Sequence, residues 1–304
     1  MFRQSIIRKN LQLRADILAA IRGFFRRNDY LEVETPYRIP APAPEAHIEA
    51  QPSGAWYLHT SPELCMKQLL AAGYSRVFQI CKCFRKSERG SRHLPELTML
   101  EWYTAGASYL DMMVQCEKMI KAVVQEIGRD FELPYQGGRV DLTSPWERMS
   151  VSRAFEKYAQ VSVEESLEKG IFDEALALDV EPHLGNERPV FLYDYPAAYG
   201  SLARLKSGSA HLAERFELYI RGMEVCNAFS ELIDPHEQRV RFEKEMEQRQ
   251  ASGKLVYPLP EPFLKSLEQM PPAAGNALGV DRLVMLLADT AAIDDVVAFT
   301  PEEL

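Results

Sequence analysis

The sequence predicts an α+β fold, and three observations carry that reading. Helical and strand periodicities are mixed without the regular alternation of a doubly wound sheet. Of 304 residues, 46% are hydrophobic and 26% charged, which supplies enough apolar material for a real core. No internal repeat, low-complexity tract or long linker divides the chain, so residues 1–304 read as a single domain.

Leu13, Ile17, Ile21 and Phe24 recur at helical spacing, which predicts an amphipathic helix over about 9–27. Leu31 to Pro36 alternates apolar and polar residues and stops at proline, as a half-buried strand does. Residues 37–54, rich in Pro and Ala, read as a loop. Ser61-Pro62-Glu63 opens a helix to about Ala72. Val77–Arg85 reads as a strand, 86–95 as a polar loop and Glu96–Tyr103 as the returning strand. A helix follows over 111–127, and 150–195 reads as mostly helical. Phe216–Leu232 is strand-rich with a turn near Arg221-Gly222. Residues 236–250 form a charged helix with a solvated face, and Gly275–Ala288 is a small-residue strand leading into an apolar helix.

The formal net charge of −9 argues against a broad grip on nucleic acid, which needs a basic surface. The charged N-terminus excludes a signal peptide, and no apolar run approaches a membrane span, so a cytoplasmic protein is expected. Five cysteines lack zinc-type pairing. Cys81 and Cys83, two apart in an apolar run, read as strand residues in a reducing compartment.

Three constellations carry chemistry. On the return strand, Glu101 and Tyr103 share a face with Leu97 and Met99; a carboxylate beside a phenol can hold an ammonium. Arg85 and the loop residues Arg89, Arg92 and His93 stand before them, and guanidinium groups suit phosphates. A surface hairpin with solvated arginines fits the same residues. In the second, a hairpin turn at Arg221-Gly222 sets Tyr219 opposite Glu224 and puts Glu217 on the same face. Two converging carboxylates call for a cation, and Mg²⁺ with ATP phosphates suits them; exposed acids on an amphipathic strand are the alternative. Strict alternation turns Glu231 away from Glu224, so its joining the site requires a bulge, placed near Asn227-Ala228. In the third, the small residues of Gly275 to Gly279 let a flat ligand approach the backbone. Arg282 lies in the first turn of the next helix, a poor place for a cation without a compensating anion.

Taken together, these segments resemble the class II aminoacyl-tRNA synthetases: Leu31–Pro36 their motif 1, Phe84–Tyr103 motif 2 and Gly279–Arg282 motif 3. Thr60-Ser61-Pro62-Glu63, His93-Leu94-Pro95-Glu96, Asn227–Leu232 and Gly279-Val280-Asp281-Arg282 are similar to the lysyl type. The motif 1 helix begins too early to leave room for an anticodon-binding domain. A lysyl-type core of this kind resembles the elongation factor P lysyltransferases, which load (R)-β-lysine onto a protein shaped like tRNA. Ala277, where lysyl-tRNA synthetases carry glycine, matches that family too.

The resemblance implies an ATP-dependent, AMP-forming ligase for a lysine-like amino acid, working as a homodimer, with elongation factor P as acceptor and no stable nucleic-acid partner. It implies that Arg85 and Arg282 are catalytic, and that Lys86, Ser87, Arg92, His93, Glu224, Val225 and Gly279 join them around ATP. Glu217 and Glu224 would hold Mg²⁺. Ser61, Pro62, Glu63, Glu101, Tyr103, Asn227, Phe229, Glu231 and Ala277 would surround the amino acid. The chain departs from the pattern at Ser87, where motif 2 has glutamate (here one place later, at Glu88), and at Leu94, Ala228 and Ser230. Two other readings follow from those departures: a non-catalytic lysyl-synthetase relative that binds amino acid as a regulatory module, and a free-standing enzyme forming lysyl-adenylate or charging tRNA.

Overall fold

The computed structural model describes residues 2–143 and 145–304. Helix α1 (Arg8–Arg27) buries Ile17, Ala20, Ile21 and Phe25, the stripe that its periodicity demands. Strand β1 (Leu31–Glu32) is shorter than expected. Val33 N still donates to Phe78 O at 2.9 Å, after which the chain leaves the sheet towards Pro36. The segment 37–54 is not all loop: Arg38–Ile39 and Pro52–Ser53 flank Trp56–Leu58 in a small three-stranded sheet.

Helix α2 (Glu63–Ala71) leads into β2 (Arg76–Phe84) and β3 (Glu96–Ala105), paired antiparallel from Arg76↔Thr104 to Phe84↔Glu96. Helix α3 (Tyr109–Glu126) starts two residues earlier than its apolar pattern suggests. Ser108 caps it, its side chain and that of Asp111 forming a capping box. The middle is helical only in part. Short helices run from Val151 to Val180, but β4 (Glu147–Ser150) and β5 (Val190–Pro196) are strands. Val190–Pro196 is buried along most of its length, so it lacks the alternation that marks a half-buried strand.

Strands β6 (Ser209–Ile220) and β7 (Met223–Ser230) form the predicted hairpin. Arg221 (φ 54°) and Gly222 (φ 63°) are both left-handed, the backbone that a two-residue hairpin turn needs. Helix α4 (Pro235–Ala251), β8 (Ala273–Gly279) and α5 (Val280–Ala288) complete the frame. The sheet runs β1-β2-β3-β8-β7-β6-β5-β4, antiparallel through its centre with a parallel pairing at each edge. One face carries Phe78, Leu100, Trp102, Phe216, Leu218 and Leu278 and packs on α1, α3 and α5 as the main core. The other face carries the site. Among the described residues no helix is long and apolar enough to cross a membrane.

Candidate active site

Register alone assembles the floor of the site. Glu101 pairs with Gln79 and Ala277, Ala277 with Asn227, and Asn227 with Glu217. Directly opposed residues share a face, so these side chains form one row across five strands. The next row is Val77, Tyr103, Gly275, Phe229 and Arg215. Gly275 is dictated by its neighbours: a Cβ there would lie 2.5 Å from Glu231 Oε1 and run into the Tyr103 ring.

The required bulge exists, but at Val225 rather than near Asn227-Ala228. Leu218 pairs with Cys226 and Tyr219 with Glu224, leaving Val225 as the extra residue. The parity of β7 therefore changes once, and Glu224, Asn227, Phe229 and Glu231 all face the site. This hairpin, β8, the loop after β2 and the inner side of α4 enclose a cavity of about 1090 Å³.

Its wall contains Ser61, Glu63, Arg85, Arg92, His93, Glu101, Tyr103, Glu217, Glu224, Val225, Asn227, Phe229, Glu231, Ala277, Gly279 and Arg282, as expected from the sequence. Three expected residues are elsewhere. Pro62 only caps α2. Lys86 turns to Glu49, with Nζ 3.3 Å from Oε1. Ser87 is left-handed (φ 66°), and that kink brings Glu88 into the wall, its carboxylate 3.7 Å from Arg85. The one-place shift of the motif 2 glutamate is thus absorbed by the backbone. The charged helix α4 is solvated on one side only. Arg249, fully buried, donates to the carbonyls of Glu45 and Ile48, and Glu245 accepts from Ala46 N at 2.6 Å, clamping the 45–50 segment over the cavity.

At one end three acids converge. Ser61 Oγ donates to Glu101 Oε1 (2.6 Å) and the Tyr103 hydroxyl to Oε2 (2.8 Å). Lys67, fully buried on α2, pairs with Glu63 and with Glu231, and lies 5.1 Å from the Phe229 ring centroid. Glu231 Oε2 takes the Lys67 ammonium, and Oε1, also buried, has no hydrogen-bond partner among the described residues. Burial, helped by the charge of Glu63, pushes Glu101 up to about 8; burial, opposed by Lys67, does the same to Glu231. Sequence reasoning missed Lys67, although its i,i+4 spacing from Glu63 on one helix was the available signal.

These raised values yield a prediction with a fixed sign. A cationic ligand needs the carboxylates, so its binding displaces protons, and its affinity should rise as pH climbs towards about 8 and then level off. In the empty protein the same two acids favour the folded state most at low pH, below the ordinary carboxyl range. That contribution is lost as pH rises through about 8. Calorimetry in buffers of different ionisation enthalpy and melting temperatures across this range check both halves; pH-independent affinity would contradict them.

At the other end the groups suit an anion. Arg85 Nε is buried without a hydrogen-bond partner among the described residues. Arg282 Nη1 donates to Glu224 O at 2.8 Å and lies 3.1 Å from its carboxylate, the anion anticipated at that helix start. Asp281 holds the same turn, accepting from Arg14 Nη1 (2.6 Å) and Thr98 N (2.7 Å). Glu217 accepts from Tyr195 (2.7 Å), Tyr219 (2.6 Å) and Arg215 (2.6 Å). Burial and the facing charge of Glu224 raise its pKa. Two opposed acids with lone pairs left over fit a divalent cation. Arg215 was also missed, although it stands two residues before Glu217 on the same strand face.

Comparison with known proteins gives the family. A family model for tRNA synthetases class II (D, K and N) matches residues 1–303. A lysine-tRNA ligase of Moorella thermoacetica is 39% identical, over 94% of this chain and 64% of that protein. An elongation factor P-(R)-beta-lysine ligase of Edwardsiella ictaluri is 38% identical, over 96% of this chain and 94% of that protein. One of Pseudoalteromonas translucida is 36% identical, over 95% and 94%. The chain therefore belongs to the class II tRNA synthetase family and, within it, to the elongation factor P-(R)-beta-lysine ligases.

Proposed function

We propose that this protein uses ATP to activate a lysine-like diamino acid, (R)-β-lysine, as its adenylate and transfers it to a lysine of elongation factor P. ATP use follows from the family. The observation that carries the substrate class is a charge count. Glu63, Glu101 and Glu231 place three carboxyl groups at this end of the cavity, and Lys67 pairs with Glu63 and Glu231; one lysine against three acids leaves two carboxylates for the two ammonium groups of a diamino acid. Its carboxylate then goes to Arg85, whose buried Nε is free.

The substrate carboxylate attacks the α-phosphorus, forming a mixed anhydride while the bond to pyrophosphate breaks. No side-chain nucleophile or base is needed. Arg85 and Arg282 stabilise the charge that develops, and Arg92 and His93 complete the basic wall. Glu217 and Glu224 would hold Mg²⁺, which neutralises the departing pyrophosphate. In the second step the acceptor lysine's amine attacks the carbonyl, losing a proton, and AMP leaves. Ala277 lines the amino-acid end and supports the β-isomer. A single catalytic domain, a homodimer, a cytoplasmic location and no stable nucleic-acid partner complete the proposal; the net charge of −9 supports the last point.

The test is exchange of labelled pyrophosphate into ATP with lysine, (R)-β-lysine and other amino acids, followed by transfer to elongation factor P and to tRNA. Exchange is expected with a lysine-like amino acid, and transfer to the protein acceptor should exceed tRNA charging. Folded protein that exchanges with no amino acid, or that charges tRNA efficiently in moderate salt, overturns the reading.

A further inference from the structure

Three soft donors gather beside the cavity floor, on the same face of the sheet and outside every role described so far. Cys81 and Cys83 lie two apart on β2 and share a face. Both are buried free thiols, and their sulfurs stand 3.9 Å apart. A ring nitrogen of His59 joins them, the three donor atoms lying within 4.8 Å of one another. His59 comes from the segment before α2, whose carbonyl accepts from Phe84 N at 2.9 Å. Its Nε2 is 2.7 Å from Lys82 O. A carbonyl can only accept, so Nε2 carries the proton and Nδ1 is the nitrogen that keeps a lone pair for a metal. Metal-binding histidines are oriented by this kind of contact to a backbone carbonyl.

We propose that His59, Cys81 and Cys83 form a binding site for a soft divalent cation of the zinc class. The spacing separates this from a disulfide. Residues i and i+2 of a strand are about 6.6–6.8 Å apart and their Cα–Cβ bonds point the same way, so their Cβ atoms stay far beyond the separation of about 3.8 Å that a disulfide needs. Closing one would break the ladder that pairs Cys81 with Met99 and Cys83 with Leu97. A tetrahedral ion with bonds to sulfur of about 2.3 Å spans its two sulfurs by about 3.8 Å, which is the separation the strand already provides. Two thiolates and a neutral imidazole cancel a divalent charge, as a buried site requires. A fourth position remains for water or a small incoming ligand, as in open three-ligand sites.

The surroundings give the ion a way in and a consequence. Met99 completes a small apolar cluster with the two cysteines, Leu97 and Ala277 pack against that cluster, and all three line the cavity. An ion enters from the cavity side, and its occupancy sets the packing of Met99 and Leu97 in the cavity wall. The pair of cysteines on one strand gave the sequence only two donors. His59 becomes the third because its segment runs alongside the end of β2.

The experiment uses the reduced full-length protein, stripped with chelator and titrated with Co²⁺ and then Zn²⁺. About one ion per chain is expected, with a thiolate-to-cobalt charge-transfer band that Zn²⁺ abolishes and about two protons released per ion. Cys81→Ser, Cys83→Ser and His59→Gln should each weaken binding at least about tenfold and reduce the band, while circular dichroism reports the fold of each variant. Folded wild-type protein that shows no thiolate band with Co²⁺ overturns the proposal, whether or not the variants fold. So does binding that persists unchanged in all three variants.

Discussion

Glu231→Gln should lose the amino acid and keep ATP. The substitution preserves shape and removes one ionisable group from a cluster in which buried Lys67 is held between half-buried Glu63 and buried Glu231. With three acids reduced to two around one lysine, a diamino acid arrives with one ammonium unmatched. Removing one partner of a buried charge pair costs about 3–5 kcal/mol, or about two to four orders of magnitude in affinity. The raised pKa of Glu231 sharpens the test. In the empty protein at neutral pH this carboxyl largely holds its proton, so glutamine resembles it and the melting temperature should move little. The loss appears on binding, when the wild-type group ionises, and should grow between pH 7 and 9. Calorimetry with each ligand checks this; unchanged amino-acid affinity at pH 8 would remove Glu231 from the site.

Arg85→Ala should slow adenylate formation by about 10²–10³, the usual effect of deleting one preorganised donor to a developing charge. Arg85 follows the end of β2, lines the cavity and, among the described residues, has a single ionic partner, Glu88, at 3.7 Å. Its donors are therefore not committed to holding the fold, and stability should change little. Arg85→Lys keeps the charge but not the planar fork, and should recover only part of the rate. Single-turnover adenylation read beside amino-acid binding separates the chemical step from affinity. A rate near that of the wild type in Arg85→Ala would place the stabilising charge elsewhere, with Arg282 as the next candidate.

Much of this site was legible because it is built by strand register, and register follows local rules. The β2–β3 and β6–β7 hairpins, the Arg221-Gly222 turn and the small residues of β8 announce themselves through alternation and turn chemistry. They bring Arg85, Glu101, Glu217 and Ala277 to one face. Even the need for a bulge followed from counting residues between Glu224 and Glu231. Its position at Val225 did not, because an extra residue anywhere between them restores the same parity; only the pairing of Leu218 with Cys226 and Tyr219 with Glu224 decides it.

Tertiary structure decided what has no period. Val190–Pro196 is buried along most of its length and so carries no amphipathic signal. Ser87 takes a left-handed turn that moves Glu88, rather than itself, into the cavity. Lys67 on a short helix reads as a surface residue until Phe229, Phe263 and Glu231 close over it. His59 meets Cys81 and Cys83 across 22 and 24 residues of chain because its backbone runs beside the end of β2. The sequence by itself determined which face of the sheet does chemistry, since alternation is a local property of the strand. Which charges are stripped of water, and so which acids hold protons and which lysine is a counter-ion, was decided only when distant segments packed together, because desolvation belongs to the assembled site and not to any stretch of chain.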